Sequence, residues 1–176
     1  MSPVNQTFPS APAGKRVILA TLISVLAFTV TIVVDLSVSV RSYSGMPVSK
    51  KVALALTPVL TALVGGFIFL RQRSLVAQIA IADDVLVLGK KRYPLQGATE
   101  VVRDSTVLKK AFRRCGNGGI GAITGSFKSK KYGKFYAFMT GTENAVVIRW
   151  PDRAVAVSPL DTEFFILSAR KAAGLA

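Results

Sequence analysis

The sequence predicts an α+β membrane-anchored protein: two transmembrane helices, then an antiparallel seven-stranded barrel or sandwich capped by a C-terminal α-helix. Three observations predict it. Residues 17–40 hold a single charge, Asp35, and residues 52–70 hold none. From residue 71 onward the chain breaks into short apolar runs separated by Gly, Asp and Pro turn signals. After Ser158 the apolar residues switch to helical spacing.

The two apolar runs come first. At a rise of about 1.5 Å per residue they reach roughly 36 and 28 Å, against a hydrocarbon core of about 30 Å. A cleaved signal peptide fits less well than an uncleaved hairpin. The first run is longer than a signal core, no Ala-x-Ala follows it, and a second run begins after only a short loop. Asp35, near the end of the first span, reads as an interfacial carboxylate. Pro58 and Gly65-Gly66 suit a kinked or closely packed second helix.

The chain therefore divides into a Pro/Ser/Ala-rich tail over 1–14, read as disordered, a transmembrane hairpin over 15–71 and a folded domain over 72–176. A hairpin puts tail and domain on one side. Lys15, Arg16, Arg71 and Arg73 outnumber Arg41, Lys50 and Lys51 in the connecting loop, so the positive-inside rule predicts a multi-pass protein of the plasma or inner membrane with a cytoplasmic domain. A single cysteine, Cys115, rules out a disulfide framework within the chain.

Within the domain, strands are expected at 75–81, 85–88, a short third element over 93–95 and 99–102, then 122–127, 135–140, 145–150 and 154–158. Asp83-Asp84, Gly89-Lys90-Lys91, 141–144 and 151–153 supply turns. Residues 103–121, basic and then glycine-rich, carry no strand pattern. A helix of about 14 residues closes the chain. Ser158 is a candidate cap, Pro159 suits the first helical position, and Asp161 and Glu163 complement the helix dipole. Leu160, Phe164, Phe165 and Leu167 form its expected core stripe.

Arg113, Gly116, Gly118, Gly121, Gly125 and Phe127, then an aromatic strand ending at Thr140, then Ser158, Pro159 and Asp161, resemble the motif of a bacterial PH-like (pleckstrin-homology-like) domain family over residues 72–172. The resemblance implies a PH-like barrel and no enzymatic activity. It also implies that phosphoinositide binding, where it occurs, uses basic residues at the first hairpin turn. This chain has Asp83 and Asp84 there, which would repel a phosphorylated headgroup.

Chemistry is otherwise bounded by what is missing. With no histidine, Ser-His-Asp, Cys-His and His-metal arrangements are excluded, and no cofactor or metal site is expected. The string Gly116-x-Gly118-x-x-Gly121 formally matches a dinucleotide fingerprint, but no crossover helix follows it, so a sharp corner or bulged strand is the better reading. From residue 71 onward 18 lysines and arginines face 8 acids, a net +10. The densest run supplies the candidate anionic-surface residues: Arg113, Arg114, Lys128, Lys130, Lys131 and Lys134. The expectation is a non-enzymatic binding or scaffolding module whose basic face meets anionic lipid or an acidic protein, with nucleic acid ranked below both. The alternative is a structural subunit of a larger membrane assembly, joined through its helices.

Overall fold

The computed structural model describes residues 6–42 and 78–175, with scattered positions between 45 and 76. Strand β1 (Gln6–Pro9) leads into helix α1 (Lys15–Ser42). Then follow β2 (Gln78–Ala82), β3 (Val85–Leu88), β4 (Lys91–Pro94), β5 (Glu100–Arg103), β6 (Phe112–Gly118), β7 (Ile123–Ser129), β8 (Gly133–Met139), β9 (Val146–Arg149), β10 (Ala154–Val157) and helix α2 (Thr162–Ala173). One sheet has the order β1-β2-β3-β4 and the other β5-β9-β10-β8-β7-β6.

Helix α1 is rich in Val, Ile and Thr, residues that lose rotamer freedom in a helix and favour it weakly in water. Five of its hydroxyls are satisfied from within: Thr21, Ser24, Thr29, Thr31 and Ser37 each donate to the carbonyl four residues back at 2.7 to 2.9 Å. That is the arrangement apolar surroundings demand. Over Lys15–Val34 it is the one helix among the described residues long and apolar enough to cross a membrane. The second expected span, 52–70, with Pro58 and Gly65-Gly66, lies mostly outside the described residues, as does the Asp35 side chain.

Three expectations need correction. The tail read as disordered supplies β1, which pairs antiparallel with β2 and buries Phe8. The segment 103–121, which showed no strand pattern, contains β6, and the single third element expected over 93–102 is two strands, β4 and β5; with β1, the described residues form ten strands where seven were expected. The sheets are also not wholly antiparallel. Strand β10 returns from its hairpin with β9 into the slot beside β8, where it pairs in parallel.

The central strands of the six-stranded sheet are buried on both faces, and their residues alternate between two cores. Val155 and Val157 of β10 face a first core shared with the other sheet, containing Phe8, Leu86, Trp150 and Phe165. Ala154 and Ala156 face a second core with Phe127, Phe135 and Met139, closed by Val107 and by Val17 of α1. Trp150 ties the sheets together by donating its indole N–H to Pro94 O at 3.0 Å.

Helix α2 begins three residues later than the Ser-Pro signal suggests. Asp161 is its N-cap, accepting the Phe164 N–H at 3.0 Å, and Gly174 closes it in the left-handed conformation. Of the expected core stripe only Phe165 is buried, joined by Ile166 and Ala169. Leu160, Phe164 and Leu167 are exposed. Phe8 of β1 packs on this part of the helix, meeting Phe165 edge-on at 5.1 Å and lying 5.7 Å from the half-exposed Phe164 ring.

Candidate functional site

The glycine string 116–125 forms a hairpin, and its glycines serve close approach. Gly116 and Gly125 face each other across β6 and β7 with φ of 116° and 132°. A β-carbon on either would lie 2.2 or 2.1 Å from a carbonyl oxygen of the opposite strand. Next to them the register shifts between Arg113 and Cys115, a bulge. Gly118 leaves room for the Arg113 guanidinium, whose Nη1 would be 2.3 Å from a β-carbon there.

The hairpin tip does not cradle a phosphate, because its backbone donors are already committed. The Gly119 and Ile120 N–H groups go to Asn117 Oδ1 at 3.2 and 3.0 Å, and the Asn117 amide donates back to Ile120 O. The Gly121 N–H goes to Thr21 Oγ1 of α1 at 3.0 Å. A β-carbon on Gly119 would come within 3.2 Å of the Ala20 side chain. The tip is a seat for the first turns of α1.

Other motif residues build the same seat. Thr140 donates its hydroxyl to Ala11 O at 2.6 Å, and its carbonyl accepts the Gly14 N–H at 2.9 Å. The Ser158 hydroxyl, fully buried, accepts the Thr140 N–H at 2.8 Å, and its carbonyl accepts the Ala11 N–H. Residues 11–21 are thereby stapled to the ends of β8 and β10 and to the β6–β7 tip.

The six candidate basic residues do not form one patch. Lys131 is taken up by Asp104, which is 7% exposed and accepts from Lys131 Nζ at 2.7 Å, Tyr132 Oη at 2.6 Å, and the Thr106 N–H and hydroxyl at 2.8 and 2.6 Å. Burial pushes the Asp104 carboxyl up, but the hydrogen bonds from Lys131, Thr106 and Tyr132 outweigh it and hold the group well below the usual carboxylate range. The same pairing raises the Lys131 ammonium. Burial first, and then the bond to Asp104, raise the Tyr132 phenol. This cluster pins the loop after β5 to the β7–β8 turn. It is structural.

Arg113 faces the opposite side of the sheet from Lys128, since it pairs with Phe127. Arg114 sits at the bulge and Lys130 in the turn after β7, both exposed. Lys128 and Lys134 are brought together as direct cross-strand neighbours, flanked on the same face by Phe112, which is 74% exposed. Two residues along β8 from Lys134, and so on that face too, is Tyr136. Lys134 Nζ lies 5.9 Å from its ring, and Lys91 reaches over from β4 to 4.9 Å from Tyr136 and 5.2 Å from Phe138.

Sequence reasoning missed Lys91 and Phe112. Alternation along β8 put Lys134 and Tyr136 on one face, but the approach of Lys91 depends on how the two sheets pack. No described acidic side chain pairs with Lys91, Lys128 or Lys134.

The arrangement offers a docked apolar helix and a basic strip over aromatic rings. No curated protein and no solved structure matches this chain. The family described as "Bacterial PH domain" matches residues 84–172, half of the chain, spanning the glycine hairpin, the parallel β8–β10 pair and the closing helix. With its two sheets and C-terminal helix built around that motif, the chain belongs to the bacterial PH domain family.

Proposed function

We propose that this protein is a membrane-anchored, non-enzymatic binding module that offers Lys91, Lys128 and Lys134 to an acidic segment of a partner protein. The carrying observation is the Lys128–Lys134 pair. Like charges directly opposite on neighbouring strands destabilise a sheet, and no described acidic group relieves these two. An anionic partner would.

Geometry favours a protein partner over the bilayer that holds α1. Lys128 stands five residues along β7 from Ile123, at the end of the strand away from the seat of α1, and Lys134 faces it. At about 3.3 Å per residue that is roughly 17 Å, some two Debye lengths at physiological salt. Attraction to the membrane's own headgroups is largely screened at that range. The apolar length of α1 supports anchoring, and the second apolar run over 52–70 supports a hairpin that returns the domain to the cytoplasmic side of the plasma or inner membrane.

The test is a titration of the full chain, held in nanodiscs of neutral lipid, with a fluorescent peptide of mixed Glu and Asp. Binding should weaken as salt rises, and reversal of Lys91, Lys128 and Lys134 to Glu should lower affinity about tenfold or more. Equal affinity for the reversed protein would overturn the reading. So would binding that appears only when the discs themselves contain anionic lipid and no peptide is needed.

A further inference from the structure

Helix α2 has two opposite faces. Thr162, Phe165, Ile166 and Ala169 form the buried one. On the other stand Phe164 and Leu167, 49% and 65% exposed, followed by Lys171, with Leu160, 53% exposed, just ahead of the cap. At about 100° per residue, Phe164, Leu167 and Lys171 share one line along the helix. Large apolar side chains aligned on a water-facing line mark a contact surface.

Its location indicates what covers it. The Leu160 N–H donates to Pro9 O at 2.8 Å, and Ser158, two residues before, lines a hollow of about 270 Å³ together with Ala11, Pro12, Lys15, Ile18 and the polar Glu143 and Asn144. That hollow lies at the foot of α1. Within the next turn α1 exposes Ile18, Leu19 and Leu22. The start of α2 is thus joined, through the Pro9–Leu160 bond and the segment 11–14, to the foot of α1, whose exposed apolar surface begins at Ile18. Lys15 and Arg16 at the foot, and Lys171 at the far end of the line, supply cations where an apolar surface meets lipid headgroups. The acidic side chains of the helix, Asp161 and Glu163, fall on its flanks, and Asp161 is engaged in the cap.

We propose that α2 is a second membrane contact: it lies in the bilayer interface beside the entry of α1, with Leu160, Phe164 and Leu167 seated among headgroups and upper acyl chains. This rests on the reading of α1 as a membrane span. Held at both helices, the domain cannot swing about the foot of α1, and its Lys128–Lys134 end is carried away from the bilayer toward a partner.

The experiment uses the full chain with Cys115→Ser, reconstituted in nanodiscs of phosphatidylcholine and phosphatidylglycerol. An environment-sensitive fluorophore is attached at Leu167→Cys, at Ile23→Cys as a reporter of the span, or at Thr99→Cys as an exposed reference. Spin-labelled lipids with shallow and deep labels serve as quenchers. The expected result is a blue-shifted Leu167 probe quenched severalfold more than the Thr99 probe by shallow labels, with the Ile23 probe quenched by deep ones. Quenching at Ile23 but not at Leu167 would overturn the α2 contact and leave the span intact. Quenching at neither would remove the span itself, and the α2 contact with it. A Leu167 probe that is blue-shifted, unquenched and dependent on protein concentration would assign the stripe to a second copy of this chain, which also overturns the proposal.

As an independent arm, the double change Leu160→Gln, Leu167→Gln, which spares the Phe164–Phe8 contact, should abolish shallow quenching of a probe at Lys171→Cys while leaving Tm unchanged. A large fall in Tm would assign these residues to the core and count against the proposal.

Discussion

The hydroxyl of Thr21 in α1 accepts the Gly121 N–H at 3.0 Å across a hundred residues of sequence, and the same hydroxyl donates to Val17 O at 2.7 Å. One small side chain thus satisfies a turn of α1 and a donor at the hairpin tip. Thr21→Val keeps the shape but leaves the Gly121 N–H without its acceptor, at an expected cost of about 1 kcal/mol. Gly119→Val adds bulk 3.2 Å from the Ala20 side chain at a φ of 147° and should unseat the tip altogether. A crosslink between cysteines placed at Ala20 and Ile120 should form readily in the parent with Cys115→Ser and poorly with Gly119→Val. Equal crosslinking would show that the tip does not need this close approach.

Gly116→Ala and Gly125→Ala should each destabilise the fold by about 3 kcal/mol or more, since the new methyl meets the facing backbone and neither strand can retreat without breaking the hairpin. Gly97 is the internal reference. It also has positive φ, 77°, but nothing lies within 4 Å of a β-carbon there, so Gly97→Ala should cost only about 1 kcal/mol. Thermal unfolding of the full chain in detergent separates these magnitudes.

Asp104 should make the domain acid-sensitive. Its folded pKa lies below the unfolded value of about 3.9, so its stabilisation is fully present above that value and is lost progressively as pH falls through it. Asp104→Asn should cost about 2 kcal/mol at neutral pH, because one of the two accepting oxygens becomes an NH2 that can only donate, so either the Lys131 and Tyr132 bonds to Oδ2 or the two Thr106 bonds to Oδ1 are lost. The gap in Tm between parent and variant should narrow from about pH 5 downward. A gap independent of pH would show that the carboxylate charge is not what holds the loop.

Removing the N-terminal segment should damage the domain as well as release it. Phe8 is 4% exposed in the core between the sheets, and Val17 closes the second core. Phe8→Ala should cost about 3 kcal/mol. A fragment beginning at residue 72 lacks both residues and all four β1–β2 pairs, so it should show a lower Tm and bind hydrophobic dyes more strongly than the same domain with residues 6–21 attached.

Much of this fold was legible in the sequence, and what was legible had a local cause. The β2–β3 turn at Asp83-Asp84 is a two-residue hairpin loop with φ of 50° and 59°, which Asp tolerates. Strand β3 falls where Val85–Leu88 was expected, and β7 to β10 fall within one or two residues of their apolar runs. Strand β6 was not legible because FRRCGNG has neither alternation nor β-propensity; it is an exposed edge held by pairing with β7. Of the candidate site, the lysines were visible as a charged run. Their division among Asp104, the turn and the Tyr136 strip was not, because it follows from register and from which sheet face each residue takes.

The sequence by itself determined the apolar helix, the run of short strands, the closing helix and the absence of histidine chemistry. Each depends on residues close together in the chain, where periodicity, turn preference and side-chain inventory act directly. Only the tertiary structure decided that the glycines seat α1, that α2 buries Phe165 against Phe8 while Leu167 and half of Phe164 stay exposed, and that Lys91 joins Lys134 over one ring. Those outcomes join residues tens to a hundred positions apart. They follow from which surfaces fit once both cores close, and no local pattern encodes that.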